Sequence, residues 1–202
     1  MTSIPFDERL EQILAVVANV FADKGFHPTT MRDLSRATGM SLAGLYHYIS
    51  GKDELLYLVQ RRCFQRVIAG AEEALQQAPS AEERLERFIR HHVSFFASHM
   101  SEMKVLSHEA NSLSGARLAD INTLKRRYFE MLRQLIADVE TDRLLPHDPQ
   151  LKAYALFGMM NWIYTWYNPV GTLRPEALAE RFAQLFLFGL TSPSPSTASH
   201  GG

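Results

Sequence analysis

The chain has 202 residues, 46% of them hydrophobic, which is enough to bury a core in one domain or two small ones. Its formal net charge of −1 creates no overall field toward nucleic acid or a membrane, and a single cysteine, Cys63, excludes an intramolecular disulfide framework. No apolar run reaches about 18 residues and no basic-then-apolar leader is present, so a cytoplasmic protein without a membrane span is expected.

The pattern is helical nearly throughout. From Leu10 the apolar positions Ile13, Leu14, Val17, Val20 and Phe21 recur at three and four residues, one face of a first helix that stops at Gly25. Thr30, with Asp33 three residues on, caps a second helix over 31–38, which ends at Gly39. Ser41 caps a third over 42–49, and Ser50 with Asp53 starts a fourth that runs to 77. "SAEE" at 80–83 opens a fifth helix, with Leu85, Phe88, Ile89, His92, Phe95 and Phe96 on its apolar side. A short piece at 101–109 and a long helix at 116–140 follow. Asp148 and Pro149 begin another, 149–167, apolar nearly all round, which predicts burial, on one side against a partner subunit if the protein is a dimer. Pro175 starts the last helix, to about 190, and the Ser/Pro/Gly-rich residues 192–202 are expected to be a disordered tail. The prediction is an all-α chain. Residues 1–51 form an N-terminal unit, and 52–191 form a larger helical body that the helix 52–77 connects rigidly to it.

Helix two, the Gly39–Met40 turn and helix three fit a helix-turn-helix, whose second helix enters the DNA major groove. Leu34, Leu45 and Ile49 should face inward. Ser41, Leu42, Ala43 and Gly44 form the leading turn, small and apolar enough for close approach to base edges and thymine methyls. Tyr46 and Tyr48 offer hydroxyls to phosphates, Lys52 a point charge, and Arg32 a bidentate guanine contact. Charge gives no support: residues 1–60 hold five Lys/Arg against seven Asp/Glu. Tyrosine and histidine on a short helix can equally be packing residues.

"TTMRDLSRATGMSLAGLYHYISGKDELLYLV", preceded by "ILAVVANVFADKGF", resembles the DNA-binding signature of the TetR family of bacterial repressors over roughly residues 8–60. The resemblance implies an all-helical homodimer with an N-terminal helix-turn-helix and a C-terminal ligand-binding, dimerising body. On matching positions it implies Arg32, Ala43, Gly44 and His47 near bases, and Thr30, Tyr46, Tyr48 and Lys52 near phosphates. Ala43 stands where the family often has glycine, and Ile49 where phenylalanine is usual.

In the body, Trp162 and Trp166 lie four apart on one face, with Gly158 a turn earlier. They can be core or dimer-seam packing, or the aromatic lining of a pocket for a flexible apolar ligand. Arg84, Arg87, Arg90, Arg117 and the run Lys125–Arg126–Arg127 are either a solvated face or the cationic mouth of such a pocket. "HEANSLSGARLADINTLKRRYFEMLRQLI" and "GMMNWIYTWYNPVGTLRPEALAERFAQLFLFGL" resemble the C-terminal half of TetR-type regulators of fatty-acid or steroid-ring catabolism, which respond to CoA thioesters. That resemblance implies Trp162, Trp166 and Tyr167 near an acyl-CoA ligand, with Arg126 and Arg127 as phosphate partners.

There is no GxSxG, Gly-rich phosphate loop or HExxH, and His91, His92, His99 and His108 show no ligand spacing, so neither an enzyme, a metal site nor a cofactor is expected. The reading is a repressor released from a pseudo-palindromic operator by a small molecule, with the helix 52–77 as the lever. Its alternatives are a repressor sensing another hydrophobic or drug-like ligand, and a helical module that does not bind DNA.

Overall fold

A computed structural model describes residues 6–76 and 78–189; the tail expected at 192–202 lies outside these. The described residues form α1 (Phe6–Lys24), α2 (Met31–Thr38), α3 (Leu42–Tyr46), α4 (Lys52–Leu75), α5 (Ala81–Ser98), α6 (Met100–His108), α7 (Gly115–Asp142), α8 (Pro149–Asn161) with a 3-10 turn (Trp162–Thr165), and α9 (Pro175–Phe188). The architecture is all-α, with an N-terminal helix-turn-helix and a C-terminal helical body.

Local chemistry sets most boundaries. Thr30 and Asp33 close a reciprocal capping box on α2, and Gly39 ends that helix at φ 66°, a left-handed conformation that suits glycine. Ser41, Ser80 and Asp148 accept from backbone N–H groups at the starts of α3, α5 and α8. At α4 the expected partner changes: the N–H and hydroxyl of Ser50 both donate to Glu54, not to Asp53.

Two helices are shorter than their patterns predict. α3 stops at Tyr46 because the Leu45 carbonyl accepts from both Tyr48 and Ile49, and the tightened turn drops Ile49 into the core. α8 gives way at Trp162 to a 3-10 turn, where Thr165 Oγ1 donates to the Trp162 carbonyl and buried Ile163 and Tyr167 anchor the chain. The expectation that 149–167 is buried all round is corrected within this subunit. Ala153, Leu156, Met160, Ile163 and Tyr167 are buried, whereas Leu151, Tyr154, Trp162 and Trp166 face outward.

The N-terminal helices and the body share one continuous core, from Leu10 to Ala183. α1 packs on α2, α4 and α6, while α5 runs through the body against α4, α7 and α9. The α4–α5 crossing is close at Gly70, where a Cβ would meet the His91 ring at 2.4 Å. His91 sits there with Nε2 2.9 Å from the Val67 carbonyl. Full burial of side chains such as Phe21, Phe88 and Leu132 contributes about 1.5–3 kcal/mol each.

Candidate DNA-binding surface and effector cavity

α3 divides by its period. Leu45 and Ile49, with Leu34 of α2, are buried in the shared core, and Ser41, Leu42, Ala43, Tyr46 and His47 are exposed together. Gly44 is half-buried between them; a Cβ there would press to 3.2 Å from Ser41 Oγ, the atom that caps the helix. Tyr46 is 51% exposed, its hydroxyl free to reach outward. Tyr48 is half-buried and stacks on Phe6 at 4.6 Å, with the His47 ring edge-on to it at 5.4 Å. The aromatic run thus splits between an outward group and one that braces the end of α1.

On α2, Arg32 is exposed, and Arg36, one turn later, has a side chain 81% exposed beside Asp33 at 3.9 Å. Arg36 was not singled out in the sequence, although its i, i+4 spacing from Arg32 puts both guanidinium groups on one face. Thr30 gives its hydroxyl hydrogen to Asp33 Oδ2 at 2.8 Å and accepts from the Asp33 N–H. The Lys24 ammonium at 2.6 Å, with these Thr30 hydrogen bonds, holds the Asp33 carboxyl well below the usual carboxylate range.

Lys52 departs from its expected place at a phosphate. Its ammonium donates to the carbonyls of Phe26 (2.9 Å), His27 (3.1 Å) and Thr29 (2.9 Å), and lies 4.4 Å from the Phe26 ring centroid. An ammonium has three donors, and all three are used. Lys52 therefore ties the start of α4 to the α1–α2 connection. From the other side, buried Glu109, just past α6, accepts from the Phe26 N–H at 3.0 Å and from Ser112 Oγ at 2.6 Å, while Gln60 Nε2 of α4 donates to the Glu109 carbonyl at 3.0 Å. The connection leading into α2 is clamped between α4 and the end of α6.

In the body, α4–α8 line an open-mouthed cavity of about 320 Å³. Its walls are Phe64, Phe96, Met103, Leu106, Phe129, Tyr154 and Phe157, with the polar groups His92, Ser107, Lys125, Tyr128 and Asn161 among them and no carboxylate among the described residues. This volume lies at the small end of the roughly 300–1,000 Å³ typical of ligand pockets. His92 is 1% exposed; its Nδ1 is 3.1 Å from Tyr128 Oη, and its Nε2 has no partner at hydrogen-bond distance among the described residues. Burial, with a smaller push from His91, lowers the His92 pKa to about 3, so the ring is neutral. Burial also raises Tyr128 and lowers Lys125, which holds no ion pair among the described residues.

None of the ligand residues expected from the resemblance is among the lining residues of this cavity. Trp162 and Trp166 are 60% and 52% exposed, and buried Tyr167 donates its hydroxyl to the Leu173 carbonyl at 2.9 Å. Arg127 is ion-paired with Glu72. Arg126 lines a surface cleft of mixed charge, with Arg133, His147, Glu130 and Asp148, that shares Phe129 and Tyr154 with the cavity. The cavity was missed because its walls come from five helices, and only its apolar stripe on α5 was visible as a pattern.

No helix among the described residues is long and apolar enough to cross a membrane. Residues 13–58 match the profile of bacterial regulatory proteins of the tetR family, and residues 78–190, more than half of the chain, match the tetracyclin repressor-like C-terminal domain. The chain is 23% identical over 186 residues to the HTH-type transcriptional repressor KstR2 of Mycolicibacterium smegmatis, covering 91% of each protein. It is 29% identical to AibR, solved in complex with isovaleryl coenzyme A and operator DNA, with a TM-score of 0.80 over 88% of this chain and 97% of that one. PfmR of Thermus thermophilus superposes with a TM-score of 0.82 at 28% identity, over 96% of this chain and 100% of that one. With a tetR-type reading head on a tetracyclin repressor-like body, the chain belongs to the TetR family of DNA-binding transcriptional regulators and is not an enzyme.

Proposed function

We propose that the protein is a homodimeric repressor that leaves a pseudo-palindromic operator when an acyl-CoA thioester places its acyl group in the cavity. The observation that carries this reading is the cavity itself: aromatic and methionine walls for a chain, hydrogen-bond donors among them, and no carboxylate among the described residues to favour a cationic drug. The described walls offer Lys125 as the one cation, too little for a nucleotide's phosphates, so the coenzyme lies outside. The cleft beyond Phe129 and Tyr154 is where its phosphates would sit, on Arg126, the cation there that holds no ion pair among the described residues; Arg133 is paired with Glu130, and His147 lies against Glu140. The complex of AibR with isovaleryl coenzyme A and operator DNA supports the same ligand class.

At the DNA, the exposed face of α3 reads base edges through Ser41, Leu42, Ala43, Gly44 and His47, and Arg32 contributes from α2. Tyr46, Thr30 and Arg36 lie along the backbone, while Tyr48, stacked on Phe6, and Lys52 support the head from within. Lys52→Ala should lower the melting temperature and weaken operator binding, yet leave the slope of log affinity against log salt unchanged. Arg36→Ala should instead reduce that slope by about one unit at nearly unchanged stability. Fluorescence anisotropy across a salt series, paired with thermal melts, reads both; a one-unit change for Lys52→Ala would return that residue to the phosphates.

Release follows from linkage. α6 contributes Met103, Leu106 and Ser107 to the cavity and ends next to Glu109, which holds the Phe26 N–H. A ligand that displaces α6 therefore moves the connection into α2 as well as the α4 lever. A preference of ~3 kcal/mol for the displaced state weakens operator binding roughly 150-fold. The test is a gel shift on the DNA flanking the protein's own gene, titrated with isovaleryl-CoA, octanoyl-CoA, free CoA and octanoate. Thioesters should release the operator and the other two should not. DNA binding that no thioester disturbs would overturn the ligand class, and no binding at low salt would overturn the repressor.

A further inference from the structure

The polar pair His92–Tyr128 is buried among the aromatic side chains of the cavity wall. The His92 ring lies among Phe96 (4.8 Å between centroids), Phe157 (5.5 Å) and Tyr128 (5.9 Å, nearly parallel), and a phenylalanine would satisfy these neighbours equally well. Its Nε2 is buried with no partner at hydrogen-bond distance among the described residues. The Asn161 side chain, on the same cavity wall, is a hydrogen-bonding neighbour of the ring and offsets part of the burial effect, but it does not reach hydrogen-bond distance of Nε2. A buried donor left unmet carries a penalty of several-fold to a hundred-fold in an equilibrium, so an unpartnered imidazole nitrogen on a cavity wall marks the place of a ligand atom.

Hydrogen-bond accounting decides what that atom is. Both rings are neutral. If Nδ1 carried the proton and donated to Tyr128 Oη, the phenol hydrogen and the Nε2 lone pair would both be stranded. If the Tyr128 hydroxyl donates to Nδ1, only the Nε2–H is left over. The second arrangement leaves fewer groups unmet, and it leaves a donor on a ring that lines the cavity. Lys125, the only Lys or Arg among the described wall residues, is a donor too, and with no carboxylate beside it the site asks for acceptors.

We propose that His92, oriented by Tyr128, is the specificity-determining residue of the cavity and donates through Nε2–H to the carbonyl oxygen of the effector's acyl group. The inference rests on the acyl-CoA reading above and sharpens it: the cavity recognises an oxygenated acyl group, and a hydrocarbon chain of equal length lacking the carbonyl is a poor effector. Tyr128 is a positioning residue that holds the tautomer.

Octanoyl-CoA and its thioether counterpart S-octyl-CoA, which differ at the carbonyl, are the probes. Calorimetric titration of the full-length protein without DNA should show the thioester bound roughly 10- to 100-fold more tightly than the thioether. His92→Phe should collapse that preference to within about threefold by weakening the thioester alone, since only the thioester loses a hydrogen bond. His92→Gln, whose amide N–H reaches the position of Nε2–H, should retain most of the preference, and Tyr128→Phe should lose part of it with the chain contacts intact. Circular dichroism checks the fold, and if His92→Phe is unfolded the decision passes to Tyr128→Phe. Equal binding of both probes by the unaltered protein, or an undiminished preference in a folded His92→Phe, overturns the role of His92 while the acyl-CoA reading stands. If octanoyl-CoA does not bind at all, both readings fall.

Discussion

Glu109→Ala is expected to disconnect the effector from the operator. The variant should bind acyl-CoA with unchanged affinity, because Glu109 does not line the cavity. Saturating effector should then weaken operator binding less than about tenfold, against roughly 150-fold for the unaltered protein. The reason is mechanical. Glu109 joins three parts of the chain: its carboxylate holds the Phe26 N–H and the Ser112 hydroxyl, and its carbonyl accepts from Gln60. The carbonyl bond to α4 survives the substitution, but the link to the connection before α2 does not. Leaving the buried Phe26 N–H unmet also costs about 1–3 kcal/mol of stability. Glu109→Gln keeps an acceptor for Phe26 and should restore most of the coupling. Measuring effector binding and operator release on the same preparations separates coupling from affinity. A full effector response in Glu109→Ala would assign transmission to α4 alone.

Trp162→Glu should abolish dimerisation and, through it, operator binding. Trp162 continues the exposed stripe of α8, following Leu151, Tyr154 and Gly158, and an exposed tryptophan on such a stripe suits a subunit interface. A carboxylate buried there without a partner is costly, and truncating an interfacial tryptophan alone commonly costs about 2 kcal/mol or more. A monomer carries one reading head, whereas a pseudo-palindrome offers two half-sites about 34 Å apart. The loss of the second head should reduce operator affinity by more than about 100-fold. Sedimentation analysis and anisotropy on the same samples check this. A dimeric Trp162→Glu that binds DNA normally but ignores acyl-CoA would move the tryptophan from the interface back to the ligand.

The amino-acid sequence by itself determined the order of the helices, most of their starts and the helix-turn-helix, but not where α3 and α8 end or which residue partners Ser50. Thr30 and Asp33, Ser41 and Ser80 act within one turn of their own position, so their partners are visible in the linear order. The inward set Leu34, Leu45 and Ile49 likewise follows from helical period. Tertiary structure alone decided what Lys52, His92 and the tryptophans face. Lys52 finds its acceptors 23 to 26 residues upstream, His92 meets Tyr128 from 36 residues away, and Phe26 reaches Glu109 across 83. A cation's phosphate role and its structural role look alike until those carbonyls are in place. Four histidines near one another in the chain were alike until packing buried one with a nitrogen unmet. The all-round apolar pattern of 149–167 was read correctly as hydrophobic, but hydrophobicity is non-directional and cannot say whether a surface is buried by its own chain or by another.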